Sequence, residues 1–269
     1  MGLWQRVFGG KAKRGHETLN LQTPSGSASS DKPTNRDEPA KPQTQTPQAH
    51  VTSTKFPIPS AHNPKTLNPD LNPRLIDAAE RGDAEMVCSL LAEGADPNAT
   101  GENQSHVVMY ASLKGNKELL EALLKNGAAP DAPNFFGCRP LFIAALEGHL
   151  EAVKLLVEHG ANVNAASDDG NSPLIGASQN GHIGVVRYLL EKGAHSWAAT
   201  KLGTTALMRA VQNGHSSVAL QLLASGAEVN AKDSHGFTAW DFIVEGNVTD
   251  QLVRGRLRGI LGQFGAIRS

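Results

Sequence analysis

The chain has 269 residues, 39% of them hydrophobic, and 25 Lys/Arg against 26 Asp/Glu leave a net charge of −1. No basic excess suits it to a phosphate backbone, and no apolar run approaches the ~18–20 residues needed to cross a bilayer. Two cysteines, Cys88 and Cys138, and no signal-peptide pattern argue against a disulfide framework and for a reducing, cytoplasmic setting.

In chain order, Leu3, Trp4, Val7 and Phe8 come first, interleaved with Arg6, Lys11, Lys13 and Arg14. A short helix here would gather its apolar side chains on one side, which suits weak membrane-surface contact or partner docking by residues 2–14. The plainer reading is a frayed terminus. Gly2 does not signal myristoylation, because Arg6 stands where that motif wants Ser or Thr. From Thr18 to Pro64 the chain is mostly Ser, Thr, Pro, Gln, Asn and Lys, too polar to offset chain entropy by burial. Residues 1–70, with a net charge of +4, are therefore expected to be a disordered tail or tether; the remainder carries −5.

From Leu71 the pattern becomes periodic. Gly82, Gly115, Gly148, Gly181 and Gly214 recur every 33 residues, and Gly94, Gly127, Gly160, Gly193 and Gly226 repeat that interval. Such a period means one supersecondary unit stacked on copies of itself. One copy reads from Asn134 to Ala165. Pro140 suits a first helical turn, Leu141, Ala144 and Ala145 supply an apolar face, and Gly148 ends the helix. Leu150, Val153, Leu156 and Val157 keep helical spacing in a second helix, which ends at Gly160. A polar loop then leads to the next copy. The ladders Leu75, Val108, Leu141, Leu174, Leu207, Trp240 and Ala78, Ala111, Ala144, Ala177, Ala210 predict the core.

The segments RPLFIAALEGH from Arg139, SPLIGASQNGH from Ser172 and TALMRAVQNGH from Thr205 resemble ankyrin repeats, as do GADPNA, GANVNA and GAEVNA from Gly94, Gly160 and Gly226. The resemblance covers about residues 71–262. It implies an all-α solenoid of about six helix–turn–helix units (71–100, 101–133, 134–166, 167–199, 200–232 and 233–262). Hairpin-like finger loops join the units, and the fingers and first helices line a concave face. The first copy, and the last with Trp240, Phe242, Ile243 and Val244 inward and its glycine shifted to Gly246, would serve as caps. Ile76, Met109, Phe142, Ile175, Met208 and Asp241 stand where the family's TPLH motif ends in His, so apolar packing is expected to replace that polar contact.

His149, His182 and His215 tempt a metal reading, but stacked helices lie ~8–10 Å apart while zinc ligands sit ~2.0–2.1 Å from the ion. The resemblance makes them turn residues that bond neighbouring backbone. Asn98, Asn164 and Asn230 occupy hairpin positions, where each can bond its own backbone. No P-loop, GxSxG, HExxH or paired CxxC occurs. No catalytic residue, cofactor, metal or small-molecule substrate is therefore expected, and the chain reads as a non-enzyme.

The resemblance turns certain variable positions to the concave face. These are Glu102, Asn103, Ser105, Leu113 and Lys114, then Phe135, Phe136, Cys138, Leu146 and Glu147. The later copies add Asp168, Asp169, Asn171, Gln179 and Asn180, then Lys201, Leu202, Thr204, Gln212 and Asn213. Phe135 and Phe136 lead the candidate partner site, with Cys138, Leu146, Glu147, Leu113, Lys114, Lys201 and Leu202, because aromatic residues are what binding centres favour. The alternative is a phenylalanine folded onto the neighbouring finger. Trp197 replaces a loop asparagine, either as a buried plug or as an exposed anchor. The expected function is a monomeric protein-binding module or adaptor with no nucleic-acid partner. The alternative is a regulatory subunit or ligand-gated adaptor controlling an enzyme, with the N-terminal segment as membrane or partner tether.

Overall fold

The computed structural model describes residues 67–245 and 248–267. Residues 1–66, with the segment at 2–14, Gly246 and the Val244 side chain lie outside the described residues, whereas the end of the expected 1–70 tail is ordered: Asn68 N–H donates to the Gly94 carbonyl at 2.8 Å. Within them the helices are α1 (Asn72–Arg81), α2 (Ala84–Ala92), α3 (Val107–Lys114), α4 (Lys117–Lys125), α5 (Pro140–Glu147) and α6 (Leu150–Glu158). They continue as α7 (Pro173–Asn180), α8 (Ile183–Glu191), α9 (Ala206–Gln212), α10 (Ser216–Ala224), α11 (Asp241–Glu245) and α12 (Gln251–Gln263). Extended pairing among the described residues is limited to isolated bridges at Thr100–His106 and Ala199–Thr205.

Helices this short are marginal alone and draw their stability from packing. The odd-numbered helices stack on one another as one layer, the even-numbered as a second. Ala78, Ala111, Ala144, Ala177 and Ala210 are fully buried, and their small side chains bring the layers close. Leu90, Leu123, Leu156, Leu189 and Leu222 fill the second-layer seam with no exposure. Each such leucine contributes roughly 1.5–3 kcal/mol by leaving water. The first-layer ladder is buried up to Leu207, but Trp240 is only half-buried, as is Phe242; Ile243 is the residue that closes the core there. The expectation of an inward Trp240 and Phe242 is corrected accordingly.

The histidine ladder joins the copies. His149, His182 and His215 bond through Nε2 to the carbonyls of Leu113 (3.0 Å), Leu146 (3.0 Å) and Gln179 (3.1 Å), each in the preceding copy. Leu146 also accepts from Asn180 Nδ2 at 2.7 Å. A buried acceptor left unsatisfied costs about 1–3 kcal/mol. His149→Ala is therefore expected to destabilise the protein by about 1 kcal/mol more than His182→Ala, as read by urea unfolding.

Asn98, Asn164 and Asn230 work across copies rather than on their own backbone. Asn98 donates Nδ2 to the Gly127 carbonyl (3.2 Å) and accepts from the Ala129 N–H (2.8 Å). Asn164 does the same with Gly193 (3.0 Å) and His195 (2.9 Å), and Asn230 with Gly265 (3.1 Å) and Ile267 (2.9 Å). The local bond falls to Asp96 and Asn162, whose side chains accept from the N–H groups of Asn98 and Asn164. Asn230 also shows that the ordered packing runs past residue 262: α12 is 13 residues long, and its following Gly265–Ile267 turn is tied down. Where the TPLH histidine is replaced, Met109, Phe142 and Ile175 are buried apolar contacts, but Asp241 keeps a polar one, accepting from Thr238 N (2.7 Å) and Oγ1 (2.8 Å).

Candidate functional site

The fingers are small hairpins with a shared chemistry. Asn134, Ser167, Thr200 and Asp233 open them. Each donates its N–H to a carbonyl four residues on, in Cys138 (2.9 Å), Asn171 (3.0 Å), Thr204 (3.0 Å) and Phe237 (2.9 Å). The side-chain oxygen of each accepts the N–H of that same residue. A short polar side chain that mimics a backbone turn is what this position needs.

Two tip residues follow, and main-chain hydrogen bonds from them join the fingers. Phe135 N–H donates to the Asn103 carbonyl (3.0 Å), and the Phe136 carbonyl accepts from Asp168 N–H (3.2 Å). Lys201 N–H then donates to Asp169 (2.9 Å), and Ser234 N–H to Leu202 (2.9 Å). The joint repeats every 33 residues, one bond per copy. A glycine closes each turn: at Gly170, with φ +84°, an added Cβ would sit 2.8 Å from the Thr200 Cα and 2.9 Å from the Lys201 nitrogen.

This row places the candidate residues. Phe135 is 65% exposed and Phe136 43%, their rings edge-to-face with centroids 5.4 Å apart. Neither is folded away. Lys201 is exposed, and Leu202 is 59% exposed. The Asp168–Asp169 finger stands between these residues and the phenylalanines, so the two apolar spots lie two copies apart. Glu147 and Lys114 are exposed and Leu113 half-buried at the ends of the first-layer helices. Trp197 is 64% exposed and stacks on His195, centroids 4.7 Å apart, which resolves its alternatives in favour of the surface.

Two expected contact residues are not at the surface. Cys138 is 2% exposed and Leu146 6%. Burial pushes the Cys138 thiol up to about 12, with the nearby Asp168 and Asp169 carboxylates adding to the effect. Folded chains hold that proton while unfolded ones release it near the ordinary 9.0, so stability falls as pH rises from 9 towards 12. Cys88 is exposed. Alkylation of the native protein at pH 8 is expected to modify Cys88 and spare Cys138, a single adduct by mass spectrometry.

A residue that sequence reasoning passed over is Arg209. It sits half-buried in mid-α9, where the first copy places Asp77 and the others Tyr110, Ile143, Gly176 and Phe242. The signal was a charged residue at a first-helix position otherwise apolar in the neighbouring copies.

Among the described residues no helix is long and apolar enough to cross a membrane, and no cluster of three or more His, Cys, Asp or Glu could hold a metal. The family model for ankyrin repeats (3 copies) matches residues 75–167 and 164–233. No curated protein matches the chain. Ankyrin repeats are generally protein–protein interaction modules and typically non-enzymatic. With the glycine combs, the stacked helix pairs and the joined fingers in agreement, the chain belongs to the ankyrin-repeat family.

Proposed function

We propose that this protein is a non-enzymatic adaptor that binds a partner protein along its finger tips, with Phe135 and Phe136 at the centre of the contact. The observation that carries the reading is the exposure of these two adjacent aromatic rings on a row held by backbone bonds. Exposed aromatics are costly for solubility and are enriched where interfaces concentrate their energy. Lys201, Leu202 and Trp197 extend the contact towards the later copies, with Glu147, Lys114 and Leu113 flanking it. Cys138 and Leu146 act beneath it as packing.

The mechanism is pre-organisation. The tips are fixed before the partner arrives, so little ordering entropy opposes binding. Six copies make up the array in this reading, the first and last as caps, and residues 1–70 tether it in the cytoplasm. The test is binding by the Phe135→Ser/Phe136→Ser double variant against the unaltered chain.

A further inference from the structure

A cleft of about 300 Å³ lies where α8, α10 and α12 begin, and none of the residues lining it belongs to the finger row. Part of its lining is the first turn of α10, from Ser216 to Val218. The opening N–H groups of a helix have no acceptor within it and need a partner from elsewhere. Asp83, Asn116 and Asp250 supply one to α2, α4 and α12 through their side-chain oxygens. At α10 the capping position is held by His215, whose Nε2 bonds the Gln179 carbonyl, and no side chain caps the helix. Ser216 N–H reaches the Gly214 carbonyl at 3.0 Å, but among the described residues no acceptor takes those of Ser217 and Val218.

A histidine also opens α6 and α8, but those helices start with Leu150 and Ile183. Of the three, α10 alone starts with a hydroxyl. Ser216 is 9% exposed, and its Oγ has no hydrogen-bond partner. A buried hydroxyl left so is unfavourable, and it points to a partner that enters the cleft Ser216 lines. A cation comes from α12. Val253 packs on the turn before α10, its Cγ1 3.4 Å from where a Cβ on Gly214 would lie. Arg256, three residues on, shares that helix face and lines the cleft as Val253 does. Ser217 and Arg256 are both exposed, so the cleft is open to solvent, and no acidic residue lines it.

We propose that this cleft binds a phosphoryl group, as inorganic phosphate or as the monoester of a small molecule. One oxygen accepts from the N–H groups of Ser217 and Val218, a second from the Ser216 hydroxyl, and a third from the Arg256 guanidinium. The positive end of the α10 dipole favours the charge. Donors of three kinds from two helices suit a group with three strong acceptor oxygens better than a planar carboxylate. The volume stands at the small end for ligand sites, which fits a phosphoryl group on a small body. This site is separate from the partner row, so its occupancy and partner docking are independent readouts.

The test is a titration of the full chain, at fixed pH and ionic strength, with inorganic phosphate, methyl phosphate or acetate, followed by amide NMR shifts. Either phosphate should move the Ser217 and Val218 amides, while Glu151 and Ala152, at the same places in α6, stay still. Acetate should bind more weakly. Ser216→Ala and Arg256→Gln should each weaken phosphate binding about threefold or more. Ser216→Ala should melt at the same temperature or higher, since it removes an unpartnered group. Tighter binding of methyl phosphate assigns the ester, and equal or weaker binding the free ion. Unmoved Ser217 and Val218 amides overturn the site, as do equal shifts in α6, equal binding by acetate, or a marked fall in the melting temperature of Ser216→Ala. Binding that either variant leaves unchanged also overturns it and makes the ligand an adventitious ion only.

Discussion

Replacing Gly170 by alanine is expected to destabilise the protein by about 2–4 kcal/mol, whereas the same change at Gly236 should cost only about 1 kcal/mol. The two residues have the same backbone, φ +84° in each, so both alanines bear the left-handed penalty of roughly 1–2 kcal/mol. Only the surroundings differ. At Gly170 the new methyl meets the backbone of the next finger at Thr200 and Lys201, which cannot rotate out of the way as a side chain could. At Gly236 nothing lies within 4 Å, because no further finger follows. Overpacking against fixed atoms adds about 1–3 kcal/mol. Urea unfolding followed by circular dichroism measures both variants. Equal losses would mean that the fingers part easily, and that the tip row is less rigid than its hydrogen bonds imply.

The second large effect falls on binding. Phe135→Ser/Phe136→Ser is expected to weaken partner binding by about 2 kcal/mol or more for each ring removed. Stability should change by no more than about 0.5 kcal/mol, because both rings are substantially exposed and the main-chain bonds of the finger joints do not depend on the side chain. Serine keeps the N–H of Phe135 and the carbonyl of Phe136 in place. The contrast between the two readouts decides the matter. A large fall in melting temperature with binding intact would make the phenylalanines structural.

The repeat architecture was legible because the residues that report it act within a copy or at a constant offset. A glycine ending a helix and an alanine letting two helices approach leave a periodic trace. The site was less legible because it depends on what neighbouring copies lack. Leu146 was expected on the partner-facing side, but it packs against α7 at Gly176, where an added Cβ would lie 3.4 Å from the Leu146 Cβ. Only reading copy three against copy four reveals that. Cys138 follows the turn glycine, and its backbone closes the hairpin on Asn134 while the small thiol turns inward. The loop asparagines failed for a related reason: the groups they satisfy lie 29 to 37 residues downstream. Trp197 sits at one of those positions, and whether it would plug the loop or leave it was a question of three-dimensional room.

The tip joints separate the molecule's grammar from its vocabulary. Phe–Phe, Asp–Asp and Lys–Leu all occupy the same two places and take part in the same main-chain bonds. The scaffold therefore does not care which letters it displays there. Two positions in each copy can be rewritten at little cost to folding, so mutation can exchange one partner for another without passing through unfolded intermediates in sequence space.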